Sequence, residues 1–156
     1  MFDVPKVRFA EPADYPQIIS MAEELHAENG HSSIDYPTAE AAIMQAINRD
    51  KSMIGLVGDV GAIRGIVMLR FANFWCSKDV FLDELLLYVH PDYRKTAVAK
   101  ALINFAKETA DTLKLPLMIG VMSSERTQTK LRLYQRHLGH PVGGYFYVYP
   151  PKAMRF

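Results

Sequence analysis

The sequence predicts an α/β domain built on a mixed, mostly antiparallel central sheet with helices on both faces. Three observations predict it: apolar runs of strand length, segments with apolar residues at helical spacing, and the alternation of the two along the chain. The predicted element order is β-α-α-β-β-β-α-β-α-β. The 156 residues suffice for one core of ordinary size, so we predict a single domain over 1–156.

The first third of the chain predicts one short strand and two helices. Val7–Phe9 is the strand candidate. The first helix opens at 11–14, with Asp14 as its cap and an apolar stripe from Ile18 to Leu25. Residues 26–35 are polar and contain a glycine, so we interpret them as a loop, and a second helix begins at 37–38.

The middle of the chain predicts three strands, at 52–58, 62–73 and 81–89, with a glycine-bounded hairpin turn at 58–61. A long helix from about 96 to 113 then leads to a buried strand at 116–122. Because this helix joins two adjacent strands, we expect them to be parallel, with a right-handed crossover.

The last part of the chain predicts one more helix and one more strand. The helix covers 129–138 and is closed by Gly139. Aromatic residues then alternate along 142–149, which favours a final strand that ends at a pair of prolines.

The composition excludes several classes of protein. A net charge of +1 gives no case for nucleic acid as the main partner, and no apolar run approaches the ~20 residues of a membrane span. The only cysteine, Cys76, excludes an internal disulfide and favours a reducing cytoplasm. Five histidines are present, but their spacing matches no metal site.

One stretch, 80–106, predicts an anion-binding site. An apolar strand is followed by the turn His90-Pro91-Asp92-Tyr93, by Arg94, Lys95 and Thr96, and by an amphipathic helix. The amides of a first helical turn lack internal partners, and the helix dipole favours negative charge there. We therefore interpret the turn as a holder of pyrophosphate. An ordinary helix start with solvated basic residues is the alternative.

These residues carry a resemblance to the GCN5-related N-acetyltransferase (GNAT) family, which extends over nearly the whole chain. The segment 88–94 resembles the strand end and turn that precede the family's acetyl-CoA pyrophosphate loop. The loop pattern, Gln/Arg-x-x-Gly-x-Gly/Ala, falls on 94–99, where Ala97 replaces the preferred glycine. The stretch 131–139 is similar to the family's late helix, and 119–134 suggests a divergent branch common in phage and prophage genomes.

The resemblance implies an acetyl-CoA-dependent N-acetyltransferase in which an amine attacks the thioester directly. It also implies a strand bulge that leaves amides free for the pantetheine and the acetyl oxygen, at Leu87, Tyr88 and Val89. Acetyl-CoA is the implied co-substrate, without a metal. The implied cofactor-binding residues are Leu87, Tyr88, Val89, Arg94, Lys95, Thr96, Ala97, Val98, Ala99, Lys100 and Ser124.

The catalytic candidates are two acids and one tyrosine. Asp83 and Glu84 are neighbours on a predicted strand, so only one can face a cleft unless a bulge resets the alternation. Glu84 reaches further, and an apolar cleft would raise its pKa into the range of a general base. Tyr134 is the candidate acid for the departing thiolate, since the resemblance places a tyrosine there. A solvated acid and a core tyrosine are the alternatives.

The acceptor is expected to be a small-molecule or peptide amine, and His26, His31 and Tyr36 are its candidate contacts, because the family's first interhelical loop often lines the acceptor groove. The excess of aromatic residues at 71–75 and 145–149 predicts either a groove wall or a homodimer surface. Two other functions stay open. One is a CoA-binding or interaction protein with little turnover, and the other is a nucleic-acid-associated module using Lys130, Arg132 and Arg136.

Overall fold

A five-stranded sheet lies at the centre of the computed structural model, which describes residues 3–123 and 126–150. The strands occur in the sheet in chain order, antiparallel throughout except for the last pair, which is parallel. They are β1 (Val7–Phe9), β2 (Ser52–Val57), β3 (Gly65–Asn73), β4 (Val80–Val89) and β5 (Leu117–Met118). The helices are α1 (Tyr15–Asn29), α2 (Tyr36–Ile47), α3 (Val98–Leu113) and α4 (Thr127–Leu138). The predicted fold class is confirmed.

Two apolar clusters cover the two faces of the sheet. Ile18 of α1 and Ile43 of α2 pack on one face, against sheet residues that include Met68. Leu102 of α3 packs on the other face, in the cluster that contains Leu69. Leu69 and Leu102 are fully buried. The sheet is therefore sandwiched between helices, as the alternation of elements predicts.

Two glycines bring α3 close to the sheet. A Cβ atom on Gly65 would lie 2.6 Å from Val98 Cγ1, and one on Gly55 would lie 2.6 Å from Phe105 Cε1. Such distances are shorter than van der Waals contact, so only glycine fits at these positions. The close packing fixes the start of α3 beside the end of β4, where the predicted anion site lies.

A buried ion pair joins β1 to the start of α1. Both guanidinium Nη atoms of Arg8 donate to the carboxylate of Asp14 at 2.8 Å, and the Glu11 amide donates to the same carboxylate. The Asp14 side chain is fully buried. Asp14 thus lies at the predicted cap position of α1. Its carboxylate, however, accepts its hydrogen bonds from the Glu11 amide and the Arg8 guanidinium.

A bulge interrupts the pairing of β4 with β3. Met68 pairs with Leu86 and the next residue, Leu69, pairs with Glu84, so Leu85 has no partner across the ladder. The bulge that the resemblance implies is therefore present in this strand. It lies at Leu85, nearer the start of the strand than Leu87, which pairs with β3 in regular register.

Several predicted boundaries are wrong, and one predicted strand is absent. Residues 142–149 form no strand, although the structure describes all of them. The predicted strand 116–122 is reduced to Leu117–Met118. Helix α1 continues to Asn29, so His26 is helical and not part of a loop, while α3 begins at Val98 and α4 at Thr127. A strand needs a partner, and alternating aromatic residues cannot supply one.

Candidate functional site

The parallel strands β4 and β5 form a fork. They pair only at Leu82 with Leu117 and Asp83 with Met118, and beyond this point β4 pairs with β3 alone among the described strands. The Gly120 amide, just past the end of β5, donates to Glu84 Oε2 at 3.3 Å rather than to the backbone of β4. Among the described strands, one backbone edge of β4 therefore has no partner from the bulge onward.

The turn after β4 presents unpaired amides beside this fork. In the described part of the chain, the backbone N–H groups of Lys95, Ala97, Ala99 and Lys100 have no hydrogen-bond partner. Ala97 caps α3 with φ −78° and ψ 8°, a backbone conformation open to any residue. The alanine thus causes no strain and removes no donor, and the predicted anion site keeps its amides.

Arg94 ties this turn to α1. Its Nε donates to the Val89 carbonyl at 3.0 Å, and its Nη2 donates to Glu28 Oε1 at 2.6 Å. The guanidinium also lies 5.5 Å from the ring centre of Tyr88, whose hydroxyl donates to Glu24 Oε2 at 2.8 Å. Arg94 is therefore held in place beside the turn, with part of its charge balanced by Glu28.

Asp83 and Glu84 lie on opposite faces of the sheet. Asp83 pairs across the ladder with Arg70, and the two side chains form an ion pair at 3.0 Å. Glu84 pairs with Leu69, which faces α3. Directly paired residues share a face, so Asp83 faces α1 and α2 while Glu84 faces α3. The bulge falls after both residues, so it does not change this relation.

Glu84 interacts electrostatically with both Tyr134 and Lys130. Burial raises the pKa of Glu84 to about 7. The negative charge of Asp83 also raises this pKa, whereas the hydrogen bond from the Gly120 amide lowers it. Burial, with the charge of Glu84, raises the pKa of the Tyr134 phenol. Burial lowers the pKa of Lys130. A carboxyl that titrates near neutral pH and a phenol that stays protonated thus occur together.

A cleft of about 420 Å³ opens on the α1 side of the bulge. Its apolar lining comes from Ala22, Leu25, Leu85, Leu86 and Met122. Its polar lining comes from His26, Asn29, Gly30, His31, Ser32 and Tyr147. A second cleft of about 280 Å³ shares Leu85 and contains Lys51 and Arg70. The bulge residue therefore separates two neighbouring openings.

His31 forms the outer wall of the first cleft together with the C-terminal tail. Its ring stacks on Tyr147 with centroids 4.8 Å apart, and its Nδ1 lies 2.7 Å from the Tyr149 hydroxyl. Its Nε2 is buried without a hydrogen-bond partner among the described residues. The tail that was predicted as a strand instead packs its aromatic side chains against the loop after α1.

Of the three candidate acceptor contacts, two lie at the cleft. His26 and His31 line the cleft, whereas Tyr36 lies outside its lining and donates to Glu23. Ser124 lies outside the described residues. Within 3–123 and 126–150, no group of three potential metal ligands occurs, and no helix is long and apolar enough to cross a membrane.

Sequence reasoning missed Leu85 and Met122 as lining residues, and Lys130 as a neighbour of Glu84. Tyr147 belongs to the aromatic segment 145–149, for which a groove wall is one of the two predicted roles. One signal was available for Lys130: it precedes Tyr134 by four residues, so the two lie on one face of a helix. No local signal in the sequence places Met122 at the cleft.

Several solved structures that this chain resembles are acetyltransferases. The aminoglycoside N-acetyltransferase AAC(6')-Iy, in complex with a CoA-containing bisubstrate analogue, is 17% identical with a TM-score of 0.69, over 93% of this chain and 96% of its own. An acetyltransferase of Trypanosoma brucei is 20% identical with a TM-score of 0.66, over 93% and 98%. A protein of Bacillus halodurans described as a transcriptional regulator is 14% identical with a TM-score of 0.71, over 93% of this chain and 99% of its own. The chain therefore shares the fold of these proteins.

The family follows from the sequence itself. Residues 53–137 match the model of the acetyltransferase (GNAT) domain. The chain belongs to this family, and it is an acetyl-CoA-dependent N-acetyltransferase. No curated protein sequence is similar enough to count as a relative.

Proposed function

We propose that the fork, the turn at 94–100, Glu84 and Tyr134 form an active site in which an amine attacks acetyl-CoA directly. The observation that carries the proposal is the set of unpaired amides at Lys95, Ala97, Ala99 and Lys100 beside the open edge of β4. A pyrophosphate needs several N–H donors at a helix start, and this turn offers them without rearrangement. One sheet with helices on both faces supports the proposal of a single domain.

Acetyl transfer to an amine requires a base, an acid and a means of stabilising the tetrahedral oxyanion. Glu84, whose pKa is raised to about 7, titrates near neutral pH and takes the amine proton through water in the gap between β4 and β5. Tyr134 keeps its proton at neutral pH and gives it to the departing thiolate. The exposed backbone edge of β4 around Leu87–Val89 supplies donors to the oxyanion.

Asp83 is the rival base, and its surroundings disfavour it. It lies on the cleft side of the sheet, but Nε and Nη2 of Arg70 both bind its Oδ2 at about 3 Å. The guanidinium therefore already occupies the carboxylate that would have to approach the amine. Glu84 receives only one backbone amide.

The test of the proposed function is release of free thiol from acetyl-CoA in the presence of a panel of amines, with CoA binding measured separately by calorimetry. Binding and amine-dependent release together support the proposal. Binding without release across the panel would leave a CoA-binding protein that does not turn over. The ordinary backbone of Ala97 favours the enzyme.

Replacing Tyr134 with phenylalanine is expected to lower kcat by about 10- to 100-fold and to leave the dissociation constant of CoA nearly unchanged. The phenol hydroxyl is lost, while the ring that fills the same space is kept. Steady-state kinetics and calorimetry on both proteins measure the two quantities. An unchanged kcat would remove Tyr134 from the mechanism.

Arg94 and Glu28 provide a matched pair of variants for the pyrophosphate turn. Arg94→Ala is expected to weaken CoA binding by about 10-fold, because a charge beside the phosphates is lost. Glu28→Gln is expected to tighten binding or leave it unchanged, since it frees the guanidinium that Glu28 holds.

If Arg94 serves only to tie the turn to α1, both variants break the same ion pair and both weaken binding equally. That outcome would exclude Arg94 as a phosphate ligand. Calorimetric titration with CoA, at one ionic strength, distinguishes the two outcomes.

We also propose that the protein forms a homodimer and is located in the cytoplasm. Trp75 at the tip of the β3–β4 hairpin is 98% exposed, and Phe74 beside it is more than half exposed. Exposed aromatic patches of this kind are typical of contact surfaces between subunits. Cys76 is unpaired and exposed, which suits a reducing compartment.

A further inference from the structure

We infer that the acceptor is a small primary amine on an apolar, ring-bearing body, bound in the cleft beside Leu85. The inference rests on the proposed function and names the substrate class of the same site. Its basis is the lining of the cleft, which among the described residues contains five aliphatic or thioether side chains and no Asp, Glu, Lys or Arg. Such a lining stabilises an apolar ligand body and offers no counter-charge to a polycation.

The acids nearest to the cleft are already engaged. Helix α1 contributes Leu25, His26 and Asn29 to the lining. Its three carboxylates have other partners: Glu23 accepts from Tyr36, Glu24 from Tyr88 and Glu28 from Arg94. A ligand with several ammonium groups would therefore have to compete with internal donors for each of these acids.

The neighbouring cleft is positively charged. Lys51 and Arg70 line it, and only Leu85 separates it from the first cleft. Arg70 is balanced by Asp83, while Lys51 has no ion-pair partner among the described residues. Lys51 at the far wall repels a polycation that extends past Leu85, and it leaves a neutral body unaffected.

Most of the named polar groups of the outer wall are also occupied, with His31 Nε2 as the exception among the described residues, and this disfavours a peptide. His31 Nδ1 lies 2.7 Å from the Tyr149 hydroxyl, and Asn29 Oδ1 accepts from Ser123 at 3.0 Å. The Tyr147 hydroxyl reaches the His31 carbonyl. A peptide would bring backbone groups that need partners, whereas an aromatic ring can stack beside His31 and Tyr147.

An uncharged lining also assists the chemistry. Removal from water disfavours the charged form of a bound amine, so the pKa of the ammonium falls and the nucleophilic form is more populated. Glu84 faces the other side of the sheet, so in this scheme the proton reaches it through water in the gap between β4 and β5. The bond formed joins the amine nitrogen to the acetyl carbon, the bond broken is the thioester C–S bond, and the thiolate receives the proton of Tyr134.

The experiment compares 2-phenylethylamine and tryptamine with neamine, spermidine and a short peptide that has a free N-terminus. Thiol release gives kcat/KM for each, and calorimetry in the presence of CoA gives binding without turnover. We expect the apolar amines to exceed the polycations and the peptide by about 100-fold in kcat/KM. A polycation or peptide preferred over both apolar amines would overturn the inference and leave the proposed function intact.

Two variants place a carboxylate in the cleft, and a third serves as control. Met122→Glu and Leu85→Glu are expected to reduce the preference for 2-phenylethylamine over spermidine by about 10-fold or more. Leu113→Glu matches Leu85 in exposure, 41% against 40%, but lies at the end of α3 and should leave the preference unchanged. Equal ratios in all three variants would overturn the inference.

Absence of turnover is also decisive. If no amine releases thiol, binding of 2-phenylethylamine in the presence of CoA still supports the inferred acceptor class, and the failure falls on the proposed reaction. If neither turnover nor binding of an apolar amine is detected, the inference is wrong.

Discussion

Replacing Glu84 with glutamine is expected to lower kcat/KM by about 100- to 1,000-fold at neutral pH while CoA binding stays intact. The amide has the shape of the carboxylate and keeps an acceptor for the Gly120 N–H, so the fork should retain its geometry. What the variant loses is the capacity to accept a proton. Kinetics with a saturating amine, together with calorimetry for CoA, measure both effects.

The pH profile separates this role from a structural one. Glu84 must be deprotonated to act as base, so the wild-type kcat/KM should rise with pH through about 7 and then level off. In Glu84→Gln this acid limb should disappear, and the residual activity should follow only the ionisation of the amine. An acid limb that persists near pH 7 in the variant would assign it to another group.

Asp83→Asn is the matched control because the two acids are neighbours on one strand but face opposite sides of the sheet. It removes the ion pair with Arg70, whose side chain is half exposed, so a small effect on stability is expected. The acid limb should remain, shifted slightly to lower pH because the charge of Asp83 helps to raise the pKa of Glu84. If the acid limb of the pH profile disappears in Asp83→Asn instead, Asp83 is the base and Glu84 is not.

The sequence predicts the fold well because the elements that define it carry strong local signals. The strands β2, β3 and β4 are long apolar runs, and α3 has a clear amphipathic stripe, buried at positions such as Ala101, Leu102 and Ala106. The turn before α3 also carries a strong local signal, because proline, basic residues and a helix start occur together at 90–100. These features depend on neighbours in sequence, which is why the family resemblance rests on them.

The C-terminal tail shows where this reasoning fails. Alternating aromatic residues at 142–149 satisfy the pattern of a strand, but strand formation depends on a partner that the pattern does not specify. In the structure Phe146 is almost fully exposed, and Tyr147 and Tyr149 contact His31 instead. The contact spans 116 residues or more in sequence, so no local period predicts it.

The candidate site depends on long-range geometry in the same way. The sequence indicates that Asp83 and Glu84 face opposite sides, but not which side each one takes. That is decided by the register with β3 and by the position of the bulge at Leu85. The cleft likewise combines α1, the bulge, Met122 and Tyr147, four segments that meet only after the sheet has formed.

Replacing Asp14 with asparagine is expected to lower the free energy of unfolding by about 3 kcal/mol, and the midpoint of thermal unfolding by about 5 to 10 °C. The carboxylate is fully buried and accepts three hydrogen bonds, two of them from Arg8. The variant leaves the guanidinium without its counter-charge, although Arg8 Nε keeps its bond to the Gly58 carbonyl. Asp111→Asn, at an exposed position on α3, is the matched control.

The effect of Asp14 should also depend on pH, with a sign fixed by its pKa. The hydrogen bonds from Arg8 hold the pKa of Asp14 below its ordinary value, so the folded state prefers the charged form. Its contribution to stability is fully present above the pKa in the unfolded chain, roughly 3.9, and is lost as pH falls through the lower folded-state value.

Urea unfolding at neutral pH and at about pH 3 tests this dependence. The difference in unfolding free energy between wild type and Asp14→Asn should be largest at neutral pH and should shrink in acid, where the wild-type carboxylate begins to take up a proton. An equal difference at both pH values would mean that packing, and not charge, accounts for the contribution of Asp14. Because Asp14 fixes the start of α1, and α1 lines the cleft, the variant should also raise KM for the amine.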